Sequence, residues 1–316
     1  MLVAILLVAL GTILASAVAY ESAMAARRGS ATISFDEALL VGEGAEALAA
    51  FGLRSVMQQA SPSNGTQVVS PTQPWAQPVG PIEVVPGVTL EASLEDLQGR
   101  FNLNWLVDWN QGANQGKPNP VAVATFTELL RLVQIDPKWT DMVVDWIDRD
   151  NNPQTQGAED SAYLGQTPPY LAANQYITST TELLALPGFG RENFAKLAPY
   201  IAALPPETKL NICSASAVVL DAFNPGIQNY SSDPNGLAKA REAVPGSCFP
   251  DTNTYKTVFD AKQWQQVQGM FGVMSSYFRL SSLVTIGTTE FNLYSLLYMD
   301  GSGFYVHPVQ RSFSPD

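Results

Sequence analysis

The 316-residue chain reads as an α+β protein: a long N-terminal helix, an antiparallel β-sheet, and a large all-α domain inserted between sheet strands. Three observations predict this. The opening MLVAILLVALGTILASAVAY carries no charged side chain and passes without a break into a helical pattern. The segment IEVVPGVTLEASLED reads as a hairpin turning at Pro86-Gly87. YFRLSSLVTIG, FNLYSLLYM and GFYVHPV, at the other end of the chain, alternate apolar and polar residues as antiparallel strands do. Helical patterns lie between the hairpin and those strands, so the economical arrangement is an insertion. The boundaries expected are residues 1–55 for the helix, 56–105 for the first part of the sheet domain, 106–270 for the inserted helices and 271–316 for the closing strands.

As a helix, Met1 to Tyr20 spans about 30 Å, the thickness of a bilayer core. A secretory signal begins with a basic stretch, and none stands here, although Ala15-Ser16-Ala17 has the look of a cleavage site. The helical pattern instead continues through Ile33, Phe35, Leu39, Leu40, Leu48 and Phe51, with an apolar stripe on one side. A membrane anchor that continues into a working helix is the favoured reading. Residues 57–81 turn to Gln, Ser, Pro, Asn and Gly and read as a linker or long loop.

Helices are expected at AVATFTELLRLVQI, KWTDMVVDWIDRD, STTELLAL, RENFAKLAPYIAAL and SASAVVLDAF, with Gly and Pro between them. Residues 224–260 are rich in turn formers and give no clear pattern. The formal net charge is −12, which repels phosphate backbones and argues against nucleic acid as a partner. LLALPGFGRENFAKLAPYI has the outline of a helix-hairpin-helix, with Gly188 and Gly190 at its turn. Its Arg191 and Lys196 are balanced by Glu182 and Glu192, so a packing hairpin is favoured over a DNA-uptake element. The single histidine, His307, has no neighbouring nucleophile, and nothing else marks a membrane-tethered enzyme.

The acidic run DWIDRDNNPQTQGAED is the sharpest local signal. Counting from Asp148, oxygen-bearing side chains fall at positions one, three and five (Asp148, Asp150, Asn152). Gln154 falls at seven and Glu159 at twelve, the spacing of an EF-hand loop. Pro153 stands where an EF-hand needs glycine, so a calcium-type loop of another backbone shape is expected, against a solvated acidic turn as the alternative. Asp141, Asp145 and Asp148 also stack at helical spacing, which repels unless something offsets it. Cys213 and Cys248 lack zinc-site spacing. In an exported chain they read as a disulfide, stabilising by roughly 3–4 kcal/mol in the chain-entropy model, with two buried thiols as the alternative.

Several stretches, in order, resemble one family, the K-type minor pseudopilins of bacterial type II secretion systems. They are the apolar N-terminus, Asp96-Leu97-Gln98-Gly99-Arg100-Phe101-Asn102-Leu103-Asn104, the loop from Asp148 to Asp160, Tyr170 and Asn174, Leu186-Pro187-Gly188-Phe189-Gly190, LNICSAS, and Tyr277-Phe278-Arg279. The resemblance covers most of the chain to about residue 290. It implies a pseudopilin fold with a helical insertion. It further implies a single-pass inner-membrane protein with its globular part in the periplasm. It implies a precursor cut by prepilin peptidase and N-methylated; with no basic leader before it, Met1 reads as at or near the mature N-terminus, with a mis-assigned start codon as the alternative. The resemblance implies calcium at Asp148, Asp150, Gln154, Glu159 and Asp160, with Asn152 nearby. Cys213 departs from a stretch where the family often reads Asn-Val-Asn-Thr. Ile5 stands where ordinary pilins carry a glutamate that pairs with the N-terminal ammonium of the next subunit. Its absence implies a non-catalytic tip subunit, initiating and capping the filament of major pseudopilins with I-type and J-type partners, and meeting secreted substrates or the outer-membrane channel.

Overall fold

The computed structural model describes residues 1–59, 68–109, 116–224, 230–242, 248 and 251–314. Helix α1 (Leu2–Gln59) is a single uninterrupted element. Its N-terminal part is long and apolar enough to cross a membrane, and the apolar window that qualifies it contains no buried residue. From Ala38 onward one side of α1 becomes buried, through Ala38, Ala45, Glu46 and Leu53. The small residues there permit a close approach. A Cβ on Gly42 would come within 2.7 Å of the Leu293 side chain.

The hairpin is β1 (Val79–Val85) and β2 (Val88–Asp96). Beyond it, β3 (Phe101–Asn102), β4 (Ile201–Ala202), β5 (Leu210–Asn211) and β6 (Phe271–Gly272) are two-residue strands inside the helical block. They pair in parallel, β3 with β4 and β5 with β6. The closing strands are β7 (Tyr277–Ile286), β8 (Thr289–Met299) and β9 (Val306–Ser312). The main sheet is antiparallel in the order β1-β2-β7-β8-β9. Strands β2 and β7 are therefore neighbours although the whole helical block separates them in sequence. Alternation sends Leu90, Leu94, Leu280, Val284 and Leu297 to the face covered by α1.

The block between β2 and β7 contains α2 (Pro120–Leu132), α3 (Trp139–Ile147), α4 (Asp160–Tyr163), α5 (Gly190–Leu197), α6 (Ala217–Ala222), α7 (Pro234–Glu242), α8 (Thr252–Lys256) and α9 (Ala261–Val267). Its buried residues form a core of their own, with Phe101, Phe126, Leu129, Ile147, Leu183 and Tyr255 among them. Three expectations change. Residues 101–105, expected in the sheet domain, belong to the helical core, where Phe101 and Leu103 are fully buried. The expected linker at 57–81 is packed over its last part: Val69 and Trp75 join the sheet core, and Trp75 meets Phe278 edge-on. Residues 60–67 of that stretch lie outside the described residues. STTELLAL forms a 3₁₀ helix (Thr180–Ala185) and RENFAKLAPYIAAL stops at Leu197, because Pro199 removes an amide and Tyr200 leads into β4.

Candidate metal centre

Helix α3 buries Val143, Val144, Trp146 and Ile147 and ends at Asp148, whose extended backbone (ψ 171°) leaves the helical region. Asn152 and Pro153 then prevent any restart. The chain turns back along its own helix, and the loop is fastened by the acidic ladder. Asp145 accepts the Gln154 N–H at 3.0 and 3.1 Å, and Asp141 accepts the Gln156 N–H at 3.0 Å. Two of the three stacked aspartates thus anchor loop amides, which offsets their mutual repulsion. Gly157 makes this possible: a Cβ there would lie 1.9 Å from Asp145 Oδ2. Within the loop, Asp150 Oδ1 accepts the Asn152 N–H at 2.8 Å and tightens the first turn.

The loop ends at Glu159, in the N-cap position of α4, but the Glu159 side chain makes no capping bond. Glu159 Oε, Asp148 Oδ and Asp150 Oδ converge instead, one oxygen of each within 4.8 Å of the others. Asp148 is 0 % and Glu159 6 % exposed, and all four of their carboxylate oxygens are buried without a hydrogen-bond partner. Behind the loop, Trp146, Tyr163 and Tyr170 form an aromatic wall, with Trp146 and Tyr163 at 5.1 Å and Tyr163 and Tyr170 at 5.5 Å. Burial pushes the Asp148 carboxyl up to about 6, with Asp150 adding to the effect. Burial also pushes Glu159 up to about 7, reinforced by the surrounding aspartates. Asp145 is likewise raised to about 7, by burial and then by Asp148 and Asp141.

Unpartnered buried carboxylates are costly in a folded chain and call for a compensating charge. The donors gathered here are oxygens, with no histidine or sulfur among them, which suits a hard cation of the calcium class. The other expected ligands are placed differently. Asp160 Oδ1 accepts the Ala172 N–H at 3.0 Å and is occupied in holding the loop that follows α4. Asn152 is exposed and Gln154 half-buried. Asp145 and Gly157 act on the site without being candidate ligands. The ladder at 141, 145 and 148 hinted at Asp145, whereas the need for glycine at 157 has no local signal.

A family model described as type II secretion system (T2SS), protein K, matches residues 99–206, which include this loop. The type II secretion system protein K of Pseudomonas aeruginosa is 30 % identical over 304 residues, covering 95 % of this chain and 87 % of that protein. The chain belongs to the type II secretion system protein K family. The Klebsiella pneumoniae member is 32 % identical over 327 residues, covering 99 % of this chain and 95 % of its own. Among solved structures, the crystal structure of the GspK–GspI–GspJ complex of the enterotoxigenic Escherichia coli type 2 secretion system matches with a TM-score of 0.75. The match has 23 % identity and covers 92 % of this chain and 100 % of that one. At that identity the likeness speaks for the fold, and the fold is the one the protein K resemblance implied.

The remaining candidates fall elsewhere. In this chain the hairpin of Gly188 and Gly190 packs inward, with Leu183, Leu186 and Phe189 buried and Phe189 edge-on to Trp139 at 5.2 Å. Cys213 and Cys248 form a disulfide with Cα atoms 4.9 Å apart, tying the end of β5 to the region after α7. His307 is exposed on the edge strand β9 beside Tyr298.

Proposed function

We propose that the chain is a non-catalytic minor pseudopilin at the tip of the type II secretion pseudopilus. In this reading it is anchored in the inner membrane by α1, with its globular part in the periplasm. It starts and caps the filament together with I-type and J-type minor pseudopilins, on top of the major pseudopilin. The observation that carries this reading is the outer side of α1. Ile33, Leu40, Leu48 and Phe51 are 69, 68, 60 and 68 % exposed. At 3.6 residues per turn they fall within about 80° of one another. The opposite side of the same helix is already buried on the sheet through Ala38, Ala45 and Leu53. A helix that is apolar on both sides and lies outside the bilayer needs a partner for its second side, and an amphipathic partner helix supplies one. Ile5 supports the tip position, since an apolar residue there leaves no buried charge for a subunit above to neutralise.

The acidic loop has a structural role in the same reading. Calcium at Asp148, Asp150 and Glu159 neutralises their charge; Asn152, Gln154 and the second oxygen of Asp160 would complete the shell only by moving toward the ion. The chain's own part is to hold those carboxylates together before the ion arrives, through Asp141, Asp145 and the Gly157 turn. Cleavage by prepilin peptidase and methylation of the mature N-terminus precede assembly, and the helical domain is the part that faces secreted proteins or the outer-membrane channel.

The test is co-purification of the full chain, in detergent, with the I-type and J-type minor pseudopilins of the same bacterium. A defined complex is expected, and Leu48→Glu together with Phe51→Glu should dissolve it while leaving the melting temperature of the free chain within about 2 °C, because exposed positions add little stability. Recovery of the chain alone, with the stripe intact, would overturn the tip reading.

A further inference from the structure

At the seam between the sheet and the helical block, Glu95 lies between two guanidinium groups. It pairs with Arg100 and, at 2.7 Å, with Arg279, its neighbour across β2 and β7. Arg100 also donates to the Ala198 carbonyl at 3.0 Å, which ties the sheet to the helical block. One carboxylate serves two arginines, so the group retains a positive charge. The Nε–H groups of both arginines are buried and have no acceptor. A cleft opens beside them, between the 3₁₀ segment at Thr178 and Thr180 and the outer sheet face at Leu296 and Gln310. Both arginines line it, and among the described residues no acidic one does. Its free space is about 30 Å³, enough for one or two waters, or for the head of one carboxylate but not for a whole residue.

We propose that this cleft receives an acidic side chain, a glutamate or aspartate, from a segment of a partner protein. Charge complementarity selects the occupant. The chain carries a net charge of −12, yet two arginines at this opening share a single carboxylate, Glu95. Guanidinium N–H groups donate strongly to carboxylates, and Thr180 and Gln310 line the same opening, whereas the Thr178 hydroxyl already donates to Glu182. The inference is independent of the tip reading and of the calcium site.

A labelled, C-terminally amidated tetraglutamate peptide, titrated by fluorescence anisotropy with the full chain in non-ionic detergent, tests it. Tetraglutamine serves as control and calcium is held fixed. Binding of tetraglutamate alone is expected. The Arg279→Gln variant should weaken it at least tenfold. Glu95→Gln should strengthen it several-fold by releasing both guanidinium groups. A purely structural triad would instead give destabilised variants and no gain for Glu95→Gln. Equal binding of tetraglutamine, unchanged affinity in Arg279→Gln, or displacement by phosphate where acetate has no effect would each overturn the proposal.

Discussion

At Glu159 two effects oppose each other. The side chain is buried, lacks a hydrogen-bond partner and faces Asp148 and Asp150, so its charge destabilises the metal-free fold. The same charge is what a cation would bind. Replacing Glu159 by Gln should therefore act with opposite signs in the two states. In excess chelator, Glu159→Gln should melt at or above the parent chain. With calcium at about a hundred times its dissociation constant, the parent should gain roughly 2.7 kcal/mol, a rise of about 5–10 °C, and the variant should gain almost nothing. Differential scanning calorimetry reads both, and a variant stabilised by calcium as strongly as the parent would remove Glu159 from the ligand set. Gly157 gives a second test at this scale. An alanine Cβ would collide with the Asp145 carboxylate that holds Gln154, so Gly157→Ala should weaken calcium binding at least tenfold by isothermal calorimetry, although position 157 contributes no ligand.

At the scale of elements, α1 joins the sheet through apolar residues and through a charged cluster at Arg311 of β9, which also meets Glu43 at 3.2 Å. Glu46 is 5 % exposed, and it accepts from Arg311 of β9 at 2.8 and 2.7 Å and from Ser295 of β8 at 2.6 Å. Arg311→Met would leave that carboxylate with the serine alone. A loss of about 1–3 kcal/mol in urea unfolding is expected, most of which Glu46→Gln in the same chain should restore. None of this pairing was legible in the sequence, because residues 46 and 311 are brought together only by the sheet order. The elements themselves were legible where one physical signal dominated. Alternation marked β2, β7 and β8, each with one face buried, and the unbroken apolar run marked α1. Legibility failed where tertiary packing overrode composition. Trp75 draws a polar, proline-rich stretch into the sheet core, and Pro199 ends a pattern that periodicity alone would carry on to Leu204. The acidic loop was legible as a cluster at Asp148, Asp150 and Glu159. The division of labour around it was not, since whether an aspartate binds a loop amide or faces a cavity depends on where the backbone turns.

At the scale of the whole molecule, the described residues form two separate hydrophobic cores, one between α1 and the sheet and one within the helical block. Between them, at the two points where the chain passes from sheet to helices and back, lies a buried polar knot. The Asn211 amide donates to Asp96 Oδ2 at 2.9 Å, to Ser275 Oγ at 2.8 Å and to the Val69 carbonyl at 2.9 Å. Ser275 donates to the same Asp96 oxygen at 2.6 Å, and Gln98 takes the N–H groups of Ser276 and Tyr277 at 2.6 and 3.2 Å. These groups come from β2, β5, the start of β7 and the segments beside them, so opening one core strands polar atoms of the other. The proposed calcium site and the Cys213–Cys248 disulfide both belong to the helical block, whereas Glu46 and Arg311 act on the sheet core. In the parent chain, calcium should thus raise a single cooperative transition in calorimetry, despite the two cores. Asn211→Ala leaves Asp96 and Ser275 short of a donor and should cost about 1–3 kcal/mol. It should also divide the transition in two. Calcium, or reduction of the disulfide, should then move only the helical one, and Arg311→Met only the other. A transition that stays single in Asn211→Ala, and shifts as a whole with calcium, would show that the cores are coupled by something other than this knot.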